Sequence, residues 1–195
     1  KLGPGRKEVD DSGDFPWGTR CMSNASGSAA FIAAVGAAKG LSGTERATLA
    51  AARSAMSPQC SSDETARAVA EVAVQNVTSK TGKAFANYLI GAAAFYDGDM
   101  AGAGAAFSAI GKSGDSWLDG AATYMVARAA LNQAIDSAFG EYGDLKKEGG
   151  DRTLLTVAEN GFRAYLKANP NGAYATSARG LLRRVYWLGQ DRQKL

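Results

Sequence analysis

The chain contains no histidine. That removes the serine–histidine and cysteine–histidine nucleophilic systems and the usual zinc ligand sets, because each needs an imidazole to move a proton or hold the metal. Cysteine is almost as scarce: Cys21 and Cys60 are the only two, and no CxxC redox or zinc motif is present. No apolar run approaches the roughly 20 residues that a membrane-spanning helix requires. Net charge is only +3 and is spread along the chain, without the concentrated basic stripe of a nucleic-acid binder. The expectation is a protein without metal, cofactor or nucleic acid.

What is present is alanine, which dominates the hydrophobic 46% while aromatics supply 9%. Alanine is the strongest helix former, so the bulk of the 195 residues reads as one domain of helices packed closely through small side chains. Among the 24 glycines, Gly91, Gly102, Gly104 and Gly120 fall inside helical patterns. Each costs about 1 kcal/mol there, and close backbone approach is the expected compensation.

Cys21 and Cys60 lie far apart among polar neighbours, which favours a disulfide, with two separate thiols as the alternative. Closing that loop stabilises by roughly 4 kcal/mol in the chain-entropy model. A disulfide implies an oxidising compartment, so a periplasmic or extracellular location is expected of the mature or trimmed chain.

Residues 1–25 mix Gly, Pro and charge without a period and read as an irregular arm, with Phe15 and Trp17 around Pro16 as its docking points. Residues 26–83 then read as three short amphipathic helices. "SAAFIAAVGAAKG" is closed by Gly40; "LSGTERATLAAARSAMSP" has capping-box spacing at Ser42 and Glu45; "CSSDETARAVAEVAVQNVTS" repeats it at Ser61 and Glu64.

From residue 84 the order of features changes. "YLIGAAAFYDGDMAGAGAAFSAI" sets an aromatic-aliphatic helix, a Gly-Asp turn, then Ala-x3-Phe on a second helix, with Gly98 at the turn and Phe107 filling the space to the next hairpin. "WLDGAATYMVARAALNQA" matches the first helix again, Tyr124 standing where Tyr88 stood. Its partner, "VAENGFRAYLKANP", places Ala158, Phe162 and Pro170 at the spacing of the second helix and its terminating proline. Between them lies a polar insertion at about 137–153. "AYATSARGLLRRVYWLGQ" is a third first-helix, without a following partner in the chain. Its Leu181, Leu182, Val185 and Leu188 then look exposed, as in a piece of a longer repeat array.

These residues resemble tetratricopeptide-repeat proteins, in particular bacterial envelope members with a "YLKxxPNGxYAxSA" junction, here "YLKANPNGAYATSA". The resemblance covers residues 84–191. It implies an all-α, right-handed superhelix of antiparallel helix pairs and a non-enzymatic scaffold that binds a protein or peptide. The first helix of each pair would line the concave face, presenting Tyr88, Phe95 and Tyr96, then Tyr124, Arg128 and Asn132, then Arg179, Arg183 and Trp187. Tyr, Trp and Arg are enriched at binding hot spots, and arginine forks favour a carboxylate-bearing partner. The alternative for Tyr88, Phe95 and Tyr124 is a packed core, and for the polar residues an ordinary solvated face.

Enzymatic readings are thin. "TSKTGKAF" lacks the first glycine of a phosphate loop, has Ala84 after Lys83 and follows a helix; "GAGAAF" has only part of a dinucleotide fingerprint, in a helical context. The remaining candidate is the insertion with Glu141, Asp144, Glu148 and Asp151, which supplies the runner-up reading: a hydrolase or glycan-binding accessory protein. A position beside the aromatic-arginine face would favour that reading; a position away from it would not. The leading expectation is a scaffold or assembly subunit of a bacterial cell envelope, associated peripherally and without a transmembrane segment.

Overall fold

The computed structural model describes residues 24–56 and 64–195, and among these the architecture is all-α. Eight helices follow in order: α1 (Asn24–Ala37), α2 (Gly43–Ala55), α3 (Glu64–Gln75), α4 (Lys80–Asp97), α5 (Met100–Ile110), α6 (Ser116–Ala138), α7 (Arg152–Ala168) and α8 (Ala175–Leu188). The two cysteines and the capping serine expected at Ser61 lie outside the described residues.

Local chemistry sets most of the helix starts. Ser42, Ser79, Asp99, Asp115 and Asp151 each accept a hydrogen bond from a backbone N–H in the first turn of α2, α4, α5, α6 and α7. Such caps satisfy donors that the helix itself leaves open and contribute about 1 kcal/mol apiece. At Ser42 the expected capping box is complete: Glu45 N–H donates to Ser42 Oγ at 3.1 Å, and Ser42 N–H donates to Glu45 Oε2 at 2.9 Å. The stretch "TSKTGKAF" is the start of α4, where Ser79 Oγ accepts from the Gly82 N–H. The opposite problem, open carbonyls at the end of α1, is met by Arg46, whose guanidinium donates to the carbonyls of Val35, Gly36 and Ala38. That clamp folds α2 back on α1.

Each helix packs against the next in sequence as an antiparallel neighbour, and α2, α4, α6 and α8 also touch one another in succession. The even-numbered helices therefore form a layer, flanked by α3, α5 and α7. Small residues set the spacing. A Cβ on Gly91 would meet the Phe107 ring at 2.8 Å, so α4 and α5 are as close as glycine permits. Phe107 and Phe162, at equivalent places in their hairpins, are both fully buried.

α1 joins this layer through aromatics. Phe31 stacks on Tyr88 (centroids 5.5 Å apart) and meets Phe85 (5.6 Å) and Trp117 (6.2 Å) edge-on. Its ring thus connects α1 to α4 and to the start of α6. At the other end, Val185 and Leu188 of α8 are buried and Leu181 and Leu182 are half-buried against the core, so these residues are not the exposed stripe that the sequence suggests. The reason is that α8 packs against α7 and α6, while the insertion folds back onto its C-terminal end. Gly150 N–H donates to the Leu188 carbonyl at 3.1 Å, Gln190 Nε2 donates to the carbonyls of Lys146 and Lys147, and Lys194 reaches Glu159 of α7 at 3.1 Å.

Candidate functional site

The even-numbered layer and α1 enclose a cavity of about 300 Å³. Its walls come from five places in the chain: Ser26, Gly27 and Ala30 of α1; Arg53 at the end of α2; Tyr88, Ala92 and Tyr96 of α4; Tyr124, Met125 and Arg128 of α6; and Ala173, Tyr174 and Ser177 around the start of α8. Positions 88, 92 and 96 of α4, and 124 and 128 of α6, repeat at the four-residue spacing that keeps side chains on one helix face. Of the nine residues expected on the concave face, Tyr88, Tyr96, Tyr124 and Arg128 meet here.

The aromatic rings hold one another and the cations in place. Tyr124 and Tyr174 lie nearly parallel, 4.6 Å between centroids, and Tyr124 Oη shares a hydrogen bond of 2.7 Å with Ser177 Oγ. The Arg128 guanidinium sits 4.8 Å from the Phe95 centroid and 5.7 Å from that of Tyr124, a cation–π seat with a ring on each helix. Arg53 lies 6.0 Å from the Tyr96 ring and is almost wholly buried, at 2% exposure. Burial pushes its guanidinium below the ordinary value, with Tyr96 opposing. The same burial pushes the Tyr88 hydroxyl up, and that of Tyr174 up to about 12, so both stay protonated across the physiological range and keep a proton to donate. Tyr174 Oη is buried with no hydrogen-bond partner among the described residues. Such a hydroxyl, on the wall of a cavity, is a donor and acceptor open to an occupant.

The other five expected residues lie outside this cavity. Asn132 is half-buried and donates to the Arg128 carbonyl of its own helix at 2.8 Å. Arg179 is exposed and donates to the Pro170 carbonyl at 2.7 Å, holding the α7–α8 connection that carries Tyr174. Arg183 is exposed, and Trp187 is 44% exposed with one side against Phe139 at 6.1 Å. Phe95 is fully buried and serves as the seat for Arg128 rather than as wall.

Arg53 and Tyr174 belong to the site, and a sequence signal exists for the first. Leu49, Arg53 and Met56 share the spacing of one helix face, so Arg53 stands on the buried stripe of α2 among apolar residues. A charge in that position is an anomaly that the pattern reveals. Tyr174 gives no comparable signal, because it precedes its helix and is brought in by the turn after Pro170.

The acidic insertion sits elsewhere. Residues 137–153 pack on the C-terminal ends of α6 and α8, and none of them lines the cavity. Asp151 is the cap of α7; Glu141, Asp144 and Glu148 are exposed. Among the described residues, no group of three or more Asp or Glu side chains gathers as a metal site would, and no helix is long and apolar enough to cross a membrane.

Comparison with known proteins gives no family. No protein-family model, no curated protein and no solved structure matches the chain. The fold and the cavity geometry therefore carry the functional argument.

Proposed function

We propose that this chain is a non-enzymatic interaction scaffold or assembly subunit of a bacterial cell envelope, exported, and built from residue 84 as a right-handed tetratricopeptide-like superhelix. Its task is to hold a carboxylate-bearing segment of a protein partner in the cavity between α1 and the even-numbered helices. The observation that carries this reading is the wall itself. Two arginines and four tyrosines converge on it, and no aspartate or glutamate is among its described lining residues. A donor-rich, aromatic wall suits an acidic side chain next to an apolar one, since arginine matches a carboxylate in a two-pronged geometry and tyrosine adds contact area at low entropic cost. Desolvation at Arg53 strengthens its pull on an anion, because little water screens it.

The succession of contacts through α2, α4, α6 and α8 supports the repeat-like reading, since stacked first helices are what line the inner face of such arrays. The size supports one anchoring contact rather than a whole docked helix, as about 300 Å³ is at the small end of ligand-sized cavities. The runner-up, a hydrolase or glycan-binding accessory using the acidic insertion, loses support from the insertion's separation from the cavity.

The test is capture from an envelope extract by the wild-type chain and by an Arg128→Glu variant shown to be folded by circular dichroism. The expected result is a partner retained by the wild type and lost by the variant. Retention of the same proteins by both would overturn the assignment of the cavity as the binding surface.

A further inference from the structure

Away from the cavity, α8 turns a continuous arc of side chains outward. Thr176, Arg179, Gly180, Arg183, Arg184 and Trp187 are all exposed, and their spacing places them on one side of the helix. A Cβ added to Gly180 would meet nothing within 4 Å, so no side chain overhangs the middle of the arc. Charge is concentrated here. From Ala175 onward the chain carries Arg179, Arg183, Arg184, Arg192 and Lys194 against the single anion Asp191, whereas over the remaining described residues cations and anions are equal in number. Lys194 is taken up by Glu159 and Asp191, but none of the four arginines is ion-paired with a described carboxylate. The acidic insertion meets α8 at its C-terminal end, where Gly150 N–H donates to the Leu188 carbonyl. Arg179, Arg183 and Arg184 stand about one to three turns before that end. Trp187 is the only large apolar side chain that α8 exposes.

We propose that this face of α8 docks on an anionic lipid surface, its arginines on the headgroups and Trp187 at headgroup level. The proposal goes beyond the cavity and does not depend on it. Charge complementarity carries it, and the make-up of the arc selects lipid over protein. A protein partner of useful affinity needs a core of apolar side chains that it can shield from water. The arc offers one tryptophan among cations, with glycine and threonine between them. An anionic bilayer asks for nothing more: exposed basic side chains find phosphate across a broad flat surface, and an aromatic ring settles at the interface without a pocket. Each Lys or Arg close to such a surface strengthens attachment about fivefold. Because these cations are solvent-exposed, salt screens the attraction. Arg183 and Arg184 are the decisive pair, since Arg179 also holds the Pro170 carbonyl and so serves the fold.

The experiment is co-sedimentation of the full chain with phosphatidylcholine vesicles, either pure or containing about 30% phosphatidylglycerol as the anionic lipid. Wild type is compared with Arg183→Gln, Arg184→Gln and with a charge-matched control, Lys39→Gln, Lys112→Gln, which removes two exposed cations from the α1–α2 and α5–α6 connections. All three are first shown to be folded by circular dichroism. The expected result is binding to the anionic vesicles alone, released in about 1 M NaCl, where the screening length falls to about 3 Å. The arginine variant should bind about 20- to 30-fold more weakly, from about fivefold per cation, and the control should stay within about twofold of wild type. Equal losses in the two variants would overturn the assignment to α8, because net charge alone would then govern attachment. Failure of the wild type to bind anionic vesicles at low salt would overturn the lipid assignment and give the face to an acidic protein. Either failure leaves the cavity reading to its own capture test.

Discussion

Glu45 does two jobs with one carboxylate. Oε2 closes the capping box of α2, while Oε1 accepts from the backbone N–H groups of Thr78 at 3.0 Å and Ser79 at 2.8 Å, at the start of α4. The hydrogen bond from Ser42 and those from Ser79 and Thr78 hold its pKa down to about 2 against an ordinary 4.5. A carboxylate whose folded-state pKa is depressed stabilises the fold fully above the unfolded value and loses that contribution as pH falls toward the folded one. Stability attributable to Glu45 is therefore expected to fall between pH 4.5 and 2. Glu45→Gln should lower the melting temperature at neutral pH and flatten its decline over that window, as read by thermal unfolding followed by circular dichroism at stepped pH. An unchanged slope in the variant would contradict this role.

At the scale of elements, the insertion between α6 and α7 is a structural strap. Gly149 adopts φ +71, and a Cβ there would lie 2.2 Å from the Leu188 carbonyl oxygen, so a side chain would be strained by backbone conformation and by contact at once. Gly149→Ala is expected to destabilise by at least about 1–3 kcal/mol, measured by urea unfolding. Asp144→Asn with Glu148→Gln, on exposed positions of the same segment, should change stability by less than about 0.5 kcal/mol. Comparable losses in both variants would contradict the strap. The sequence reveals little of this, because the docking of a Gly-Gly turn on the end of α8 is a contact between distant segments with no local pattern. Helix starts are different: Ser42, Asp99 and Asp115 signal their helices within a few residues. The cavity falls between these cases. Tyr88, Tyr96, Tyr124 and Arg128 could be grouped by aligning hairpins, whereas the closure of the cavity by α1 depends on Phe31 finding Tyr88 and Trp117 across the fold. Arg53 resembles any surface arginine until its place on the apolar stripe of α2 is noticed.

For the whole molecule, the layered packing explains why a small cavity persists inside an alanine-rich protein. Short side chains bring helices close and leave little room, so space opens only where large residues from several helices meet without interlocking fully. Here those residues are tyrosines and arginines, whose polar ends add hydrogen-bond donors to a wall that is otherwise mostly apolar. The central claim is that this space holds a carboxylate-bearing partner segment, and photo-crosslinking tests it most directly. Ala173 lines the cavity and is itself exposed, so a photoreactive residue placed there probes the occupant at small structural cost. In intact cells of the source organism the account predicts adducts to a discrete partner through peptides rich in Asp or Glu, absent when Arg128→Glu is added. Adducts that are unaffected by Arg128→Glu, or none at all, would contradict it.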